Sequence, residues 1–450
     1  MRKKLNTREH ILIASMLFGL FFGAGNLIFP LLLGAQSGAS AMSAMAGMLV
    51  TAVGIPLLGV LAMGISRSEG LMHMASRVSK PFAYFFTCAL YLTIGPLFAI
   101  PRCAATSFTV GIAPMVKGGS TVLVQAIFTA VFFAAVLFFS LRPNKIMDSV
   151  GRWLNPIFLV FLGVLIVTAL VRPVQSVGSV PVTGTYAENA FFGGFLQGYD
   201  TLDALASLAF GIIVITTIRQ LDVKDPADIA RNTVGSGVLS MALMALIYIL
   251  IALVGAQSYG LYAEELQTPG FTGGDAFAII ARHYFGTAGS ILLALTVTFC
   301  CLKTAVGLVT SCSETFSALF PKLLSYRGYA VALSLFSLLV SNIGLSKIIQ
   351  FSAPVLYFLY PLSISLILLS LFGRFFGYDR GVFRWVMGFT LIAAVLDLLR
   401  VSGIPGVQSF VAWVGGWYPF YSIGLGWLIP AFAGLVIGLL ARSRRPAPQA

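Results

Sequence analysis

The sequence predicts an all-α protein that crosses a membrane about twelve times. Of its 450 residues 58% are hydrophobic and only 10% charged, with a mean hydropathy of +0.95. No water-soluble domain has that composition. Apolar stretches of membrane-crossing length recur along the chain, with no hydrophilic domain between them. Basic residues also concentrate on alternate connecting segments, as multi-pass proteins require.

Spans of about 20 residues suffice to cross a bilayer. Twelve are expected, at 8–34, 40–65, 81–111, 120–141, 151–172, 191–218, 233–256, 287–317, 328–343, 346–372, 382–399 and 418–441, the ninth being the shortest. The first is long and lacks a small-residue cleavage site, so it reads as a span rather than a cleavable signal. With the N-terminus inside, cytoplasmic segments hold 21 Lys and Arg, and outer loops hold five: Lys117, Arg172, Arg282, Lys347 and Arg400. Both termini are therefore expected in the cytoplasm. The net charge of +13 is topology, with some affinity for anionic lipid, and not a nucleic-acid footprint.

The longest polar stretches, 172–189 and 259–284, fall outside. In the second, Asp275 is placed to cap a short helix over an outer vestibule. The inner loop 219–231 alternates charge sign and reads as a solvated connector. The tail RRPAPQA reads as a disordered end. All five cysteines lie in spans and show neither zinc nor disulfide-framework spacing, so packing is their expected role. The three histidines have no partner at metal or triad spacing. No phosphate-binding loop and no cluster of titratable groups occurs, which argues against an ATPase or a membrane enzyme. No organic cofactor is expected; energy must come from an ion gradient.

Two spans carry helix breakers where an unbroken helix is expected. In the first, Phe21–Pro30 reads FFGAGNLIFP: Gly23, Ala24 and Gly25 precede Asn26, with Pro30 four positions on. Unwound backbone is tolerated in hydrocarbon only where it faces protein or a water-filled cavity. If the helix restarts near Asn26, its N-terminal amides suit a carboxylate, and carbonyls ending the preceding segment suit an ammonium or sodium. The alternative is a kink that merely lets helices pack closely. In the sixth span, Gly193, Gly194 and Gly198 weaken the helix, and Asp200-Thr201-Leu202-Asp203 resembles a restart. There Asp203 is either an N-terminal cap or a partner for a substrate amine or cation, and the two roles are compatible. Paired broken helices in two halves point to the substrate site of a secondary transporter.

Charges inside the spans are few. Arg102, Asp200, Asp203 and Lys303 lie deepest, with Glu314 and Asp397 nearer span ends. Each unpaired charge at mid-bilayer costs roughly 2.5–3.5 kcal/mol, so each needs a partner or a cavity. In the third span Pro96 and Pro101 remove two helical amides, and Arg102 follows, most simply in a structural ion pair.

Together FFGAGNLIFP, GPLFAIPR, VGIAP, GYDTLDALASLAFG and TAVGL, in this order, resemble the bacterial branched-chain amino acid carrier family across nearly the whole chain. That resemblance implies the leucine-transporter-type fold, with helices 1 and 6 broken. It implies inverted five-helix repeats over 1–172 and 173–372, and two accessory helices with a tail over 373–450. It also implies symport of leucine, isoleucine and valine with a cation in the bacterial inner membrane. By the same resemblance the substrate main chain would meet Gly23, Ala24, Gly25, Asn26, Gly198, Tyr199 and Asp203. Phe98 and Leu205 are candidates for its apolar pocket. One Na+ would use the Asn26 side chain. A second would use carbonyls near Gly19 and Phe22 with a trio falling on Cys300, Lys303 and Thr304.

This chain departs from that pattern. Lys303 stands where the sodium-coupled carriers have a hydroxyl, Asp200 where an uncharged residue is expected, and Thr109 where Glu is frequent. An ammonium could replace the second sodium, with Asp200 or Asp203 as its counter-charge. Burial favours the neutral amine and a nearby carboxylate the ammonium, so Lys303 is either a fixed cation or a proton-coupling group. The alternative has Lys303 pointing away and pairing structurally. The coupling cation is thus Na+ or H+. The competing functions are a carrier of the same fold for another small neutral substrate, and a channel or sensor.

Overall fold

The computed structural model describes residues 6–116, 120–141, 159–221, 223, 225–404 and 406–443. Among the described residues every regular element is helical. Seven helical stretches are long and apolar enough to cross a membrane, and three shorter apolar helices accompany them. The chain is a multi-pass membrane protein. The RRPAPQA tail and the start of the span expected at 151–172 lie outside the described residues.

The first span is two helices, α1 (Thr7–Phe21) and α2 (Ala24–Ser37). A reciprocal cap starts α1: Asn6 Oδ1 accepts from the Glu9 amide and the Glu9 carboxylate from the Asn6 amide, both at 2.8 Å. The second span comprises α3 (Ala41–Leu49) and α4 (Ile55–Ile65), joined by a π-turn at Val50–Gly54. After the short α5 (Leu71–Ser76), the third runs through α6 (Lys80–Leu92) and α7 (Ala99–Ser107). Its kink at Gly95 (φ −95°, ψ −124°) precedes Pro96, whereas Pro101 sits in the first turn of α7, where no amide is needed. Next come α8 (Thr121–Ser140), α9 (Leu159–Val171), α10 (Thr185–Gln197), α11 (Asp203–Gln220) and α12 (Pro226–Gln257). Beyond them lie α13 (Gly273–Leu319), α14 (Tyr326–Ser341), α15 (Leu345–Leu371), α16 (Arg380–Val401), α17 (Gln408–Trp417) and α18 (Leu428–Ser443).

Gly286, at φ +58°, divides α13 into a short helix over 273–285 and a span. Asp275 reaches back from the first turn, accepting from the Thr272 amide at 2.8 Å and hydroxyl at 2.7 Å. The last span differs from the expected 418–441. Its helix begins only at Leu428, because 418–427 form turns closed by Tyr418 Oη on Gly426 O and Tyr421 Oη on Leu396 O.

Packing sorts the helices into two groups. In one, α1 and α2 lie on α12, α10 on α3, and α11 on α4. Main chains nearly touch here: a Cβ on Gly34 would stand 1.9 Å from Ala252 O, and one on Gly194 1.7 Å from Ala44 O. Lipid is as apolar as the side chains, so helices gain by close van der Waals and Cα–H···O contact, which only glycine permits at this separation. In the other group α13 packs on α7, α8 and α14. Helix α16 packs on α15 and α18.

Candidate functional site

Both breaks are shorter than the glycine content suggests. The first is confined to Phe22 and Gly23, so Ala24, Gly25 and Asn26 are the first helical turn of α2 and not unwound chain. Asn26 replaces a conventional cap, its Oδ1 accepting from the Gly23 amide at 2.8 Å. Pro30 has no amide to give to the Asn26 carbonyl four residues earlier, which loses its helical donor.

In the sixth span α10 continues through Gly193 and Gly194 to Gln197, because Gly194 serves the contact with Ala44 rather than a break. The chain departs from the α-helix at Gly198–Thr201 and turns on Leu202, whose φ of +67° is unusual for a residue with a side chain. Leu202 is the N-cap; Asp203 is the first residue of α11 and caps nothing. Its carboxylate instead crosses to the other break. Asp203 Oδ2 accepts from Asn26 Nδ2 and from Tyr248 Oη of α12, each at 2.8 Å, and Asn26 Nδ2 also contacts Tyr248 Oη. All three side chains are buried.

Arg102 closes the third side. The ion pair expected for it is replaced by main-chain contacts: Nη1 donates to Asp200 O at 2.6 Å and Nη2 to Thr201 O at 3.4 Å. These are carbonyls that the break leaves without a helical donor. From α13, Cys300 Sγ donates to Phe22 O at 3.5 Å, and the Thr304 side chain lies 3.3 Å from where a Gly23 Cβ would begin.

Asn26, Arg102, Asp203 and Thr304 border a cavity of about 40 Å³, room for a few waters but far below a small-molecule pocket. Of the residues singled out in the sequence, Gly23, Ala24, Gly25, Asn26, Arg102, Thr201, Leu202, Asp203 and Thr304 line it. The others stand elsewhere. Gly198 abuts Thr51 of the second span, and Tyr199 stacks on Tyr360 with ring centroids 4.0 Å apart. Leu205 is fully buried core, Phe98 is the residue before α7, and Gly19 lies on α1 beside the cavity-lining Leu20. Asp200 contributes its carbonyl to Arg102, and Lys303 is part-buried on α13 beside Thr304, outside the cavity lining. Asp397, nearer a span end, pairs with Arg400 at 3.4 Å. Tyr248 escaped the sequence reading, although a lone tyrosine in MALMALIYILIALVG is the signal that marks it.

Two helix breaks meet at a buried carboxylate, and comparison with known proteins decides the family. The family described as "Branched-chain amino acid transport protein" matches residues 6–445. The chain belongs to that family. Members similar to it include the branched-chain amino acid permease BrnQ of Lactobacillus delbrueckii subsp. lactis, 46% identical over 99% of this chain and 100% of that one. BrnQ of Bacillus subtilis (strain 168) is 42% identical over 98% of each. Among solved structures, a nucleobase-cation-symport-1 family transporter, closed with bromovinylhydantoin bound, superposes with TM-score 0.59, covering 96% of this chain and 92% of that one at 15% identity. A Na+-coupled sialic acid symporter, substrate-bound and outward-open, gives 0.58 over 97% and 91% at 12% identity. At such identities the likeness concerns the fold, which is the leucine-transporter type.

Proposed function

We propose that this family member imports leucine, isoleucine and valine across the bacterial cytoplasmic membrane by cation-coupled alternating access. One observation carries the reading: Asp203 of α11 bonded to Asn26 of α2 at the junction of two broken spans. Two helices begin there, and their first-turn amides have no intrahelical acceptor. Such ends suit a carboxylate, while carbonyls of the breaks suit an ammonium or a cation. The names of the relatives supply the substrate class.

In this reading the chain makes twelve crossings with both termini in the cytoplasm, as the placement of its basic residues requires. Residues 1–172 and 173–372 are inverted repeats, followed by two accessory crossings. The pairing of span one with seven and of span six with two supports that repeat, since the contacts interchange when the halves do. The first group of helices then rocks against α7, α8, α13 and α14, and the cavity must widen to admit an aliphatic side chain.

Coupling is assigned to Asp203 and to the Phe22 break. Cys300, Lys303 and Thr304 share one face of α13. Cys300 and Thr304 already touch the break. An ammonium one residue from Thr304 is suited to replace the second sodium. Uptake of labelled leucine into proteoliposomes, with Na+ and proton gradients imposed separately, tests both points. Lys303→Thr is expected to change the ion dependence, lowering uptake by about tenfold under the native driving gradient. Strict sodium dependence, identical in the native protein and in Lys303→Thr, removes the substitution. Absence of saturable leucine uptake removes the carrier reading itself.

A further inference from the structure

Arg102 stands where the ligand's own nitrogen should be. In the reading above, the carbonyls of the breaks suit the substrate ammonium or a cation, and those of the sixth-span break lie at the cavity. A guanidinium already holds two of them, Asp200 O and Thr201 O. It is seated firmly. The residue is only 4% exposed, its Cζ lies 5.3 Å from the centre of the Phe29 ring, and a Cβ on Gly25 would stand 2.9 Å from Nη2. The remaining cavity of about 40 Å³ cannot hold an ammonium and its aliphatic tail beside that group.

Resting on the carrier reading, we propose that Arg102 is a tethered occupant of the ammonium subsite, displaced by substrate and then paired with the substrate carboxylate. A buried guanidinium pushed off two carbonyls needs new acceptors, and an uncompensated one is costly. An α-amino acid brings both replacements: its ammonium takes the carbonyls, and its carboxylate offers a bidentate partner for the arginine. An amine without a carboxylate brings only the first. Arg102 therefore decides that the ligand is a zwitterion, independently of how the aliphatic pocket reads the side chain.

The test compares leucine with 3-methylbutylamine, which is leucine without its carboxylate, in equilibrium binding to the purified full-length protein. The native protein is expected to bind leucine and to show no measurable affinity for the amine. In Arg102→Ala the vacated carbonyls accept the amine, whose affinity rises at least about tenfold, the scale of a hydrogen bond to a charged group. Methylguanidinium, which can refill the seat, then competes with the amine in the variant and has no effect on the native protein. Should Arg102→Ala not fold, Arg102→Met keeps the apolar stem beside Phe29. Gly25→Ala, which crowds the flexible end of the arginine, is expected to shift amine affinity in the same direction.

Amine binding that stays at the native level in a folded variant overturns the assignment and makes Arg102 a structural brace. That result leaves the carrier reading standing if the native protein still binds leucine. Conversely, a gain in amine binding with no native affinity for branched-chain amino acids keeps Arg102 in the subsite and removes the substrate class.

Discussion

Asp203→Asn is expected to lower leucine uptake in proteoliposomes by roughly a hundredfold, the scale of removing one partner of a buried charge. Folded protein should be recovered as from the native chain. The carboxylate accepts from Asn26 and Tyr248 at 2.8 Å each, and an amide of the same shape can still accept both bonds. What it cannot do is offer negative charge to a cation arriving between the two breaks. The loss therefore falls on coupled transport rather than on folding. Tyr248→Phe keeps the charge and removes one hydrogen bond to it, worth about 1.5 kcal/mol, so its uptake should fall only about tenfold. Uptake within twofold of native in Asp203→Asn would show that the carboxylate merely staples the two spans together.

The second large effect concerns the helix contacts. Gly194→Val is expected to destabilise the protein by at least about 3 kcal/mol, seen as a lowered thermal unfolding midpoint in detergent and a reduced yield of monodisperse protein. A Cβ at that position would stand 1.7 Å from the Ala44 carbonyl oxygen, and main chain cannot step aside as a side chain can. The paired control is Gly163→Ala in α9, where nothing lies within 4 Å of the added atom. Helix propensity alone then acts, and a gain of up to about 1 kcal/mol is expected. A similar midpoint for both variants would mean that the α10 and α3 backbones are not held at contact distance.

The same glycines show where sequence reasoning is ambiguous. FFGAGNLIFP announced a break, and a break exists at Phe22 and Gly23, although the helix restarts two residues before Asn26. In GGFLQGYDTLD the glycines pointed to Gly193, Gly194 and Gly198; the helix runs through the first two and is left at the third. A missing Cβ serves either to leave the helix or to let a neighbouring backbone approach. Only the neighbour distinguishes the two uses, and the neighbour is 150 residues away in the chain, at Ala44. Asp203 was similarly double: a capping residue in one dimension, a bridge to Asn26 in three.

Composition, the recurrence of apolar stretches and the placement of Lys and Arg determined from the sequence alone that this is a multi-pass helical membrane protein, and the ordered motifs determined its family. Both follow from one-dimensional quantities: transfer of side chains into hydrocarbon is nearly additive along the chain, and charge bias acts segment by segment. The tertiary structure alone decided that Arg102 holds the carbonyls of Asp200 and Thr201, that Tyr248 joins Asp203, and that Tyr199 and Gly198 turn away from the cavity. Those outcomes depend on which distant groups can satisfy a buried polar atom where water cannot, and that choice is made only when the helices meet.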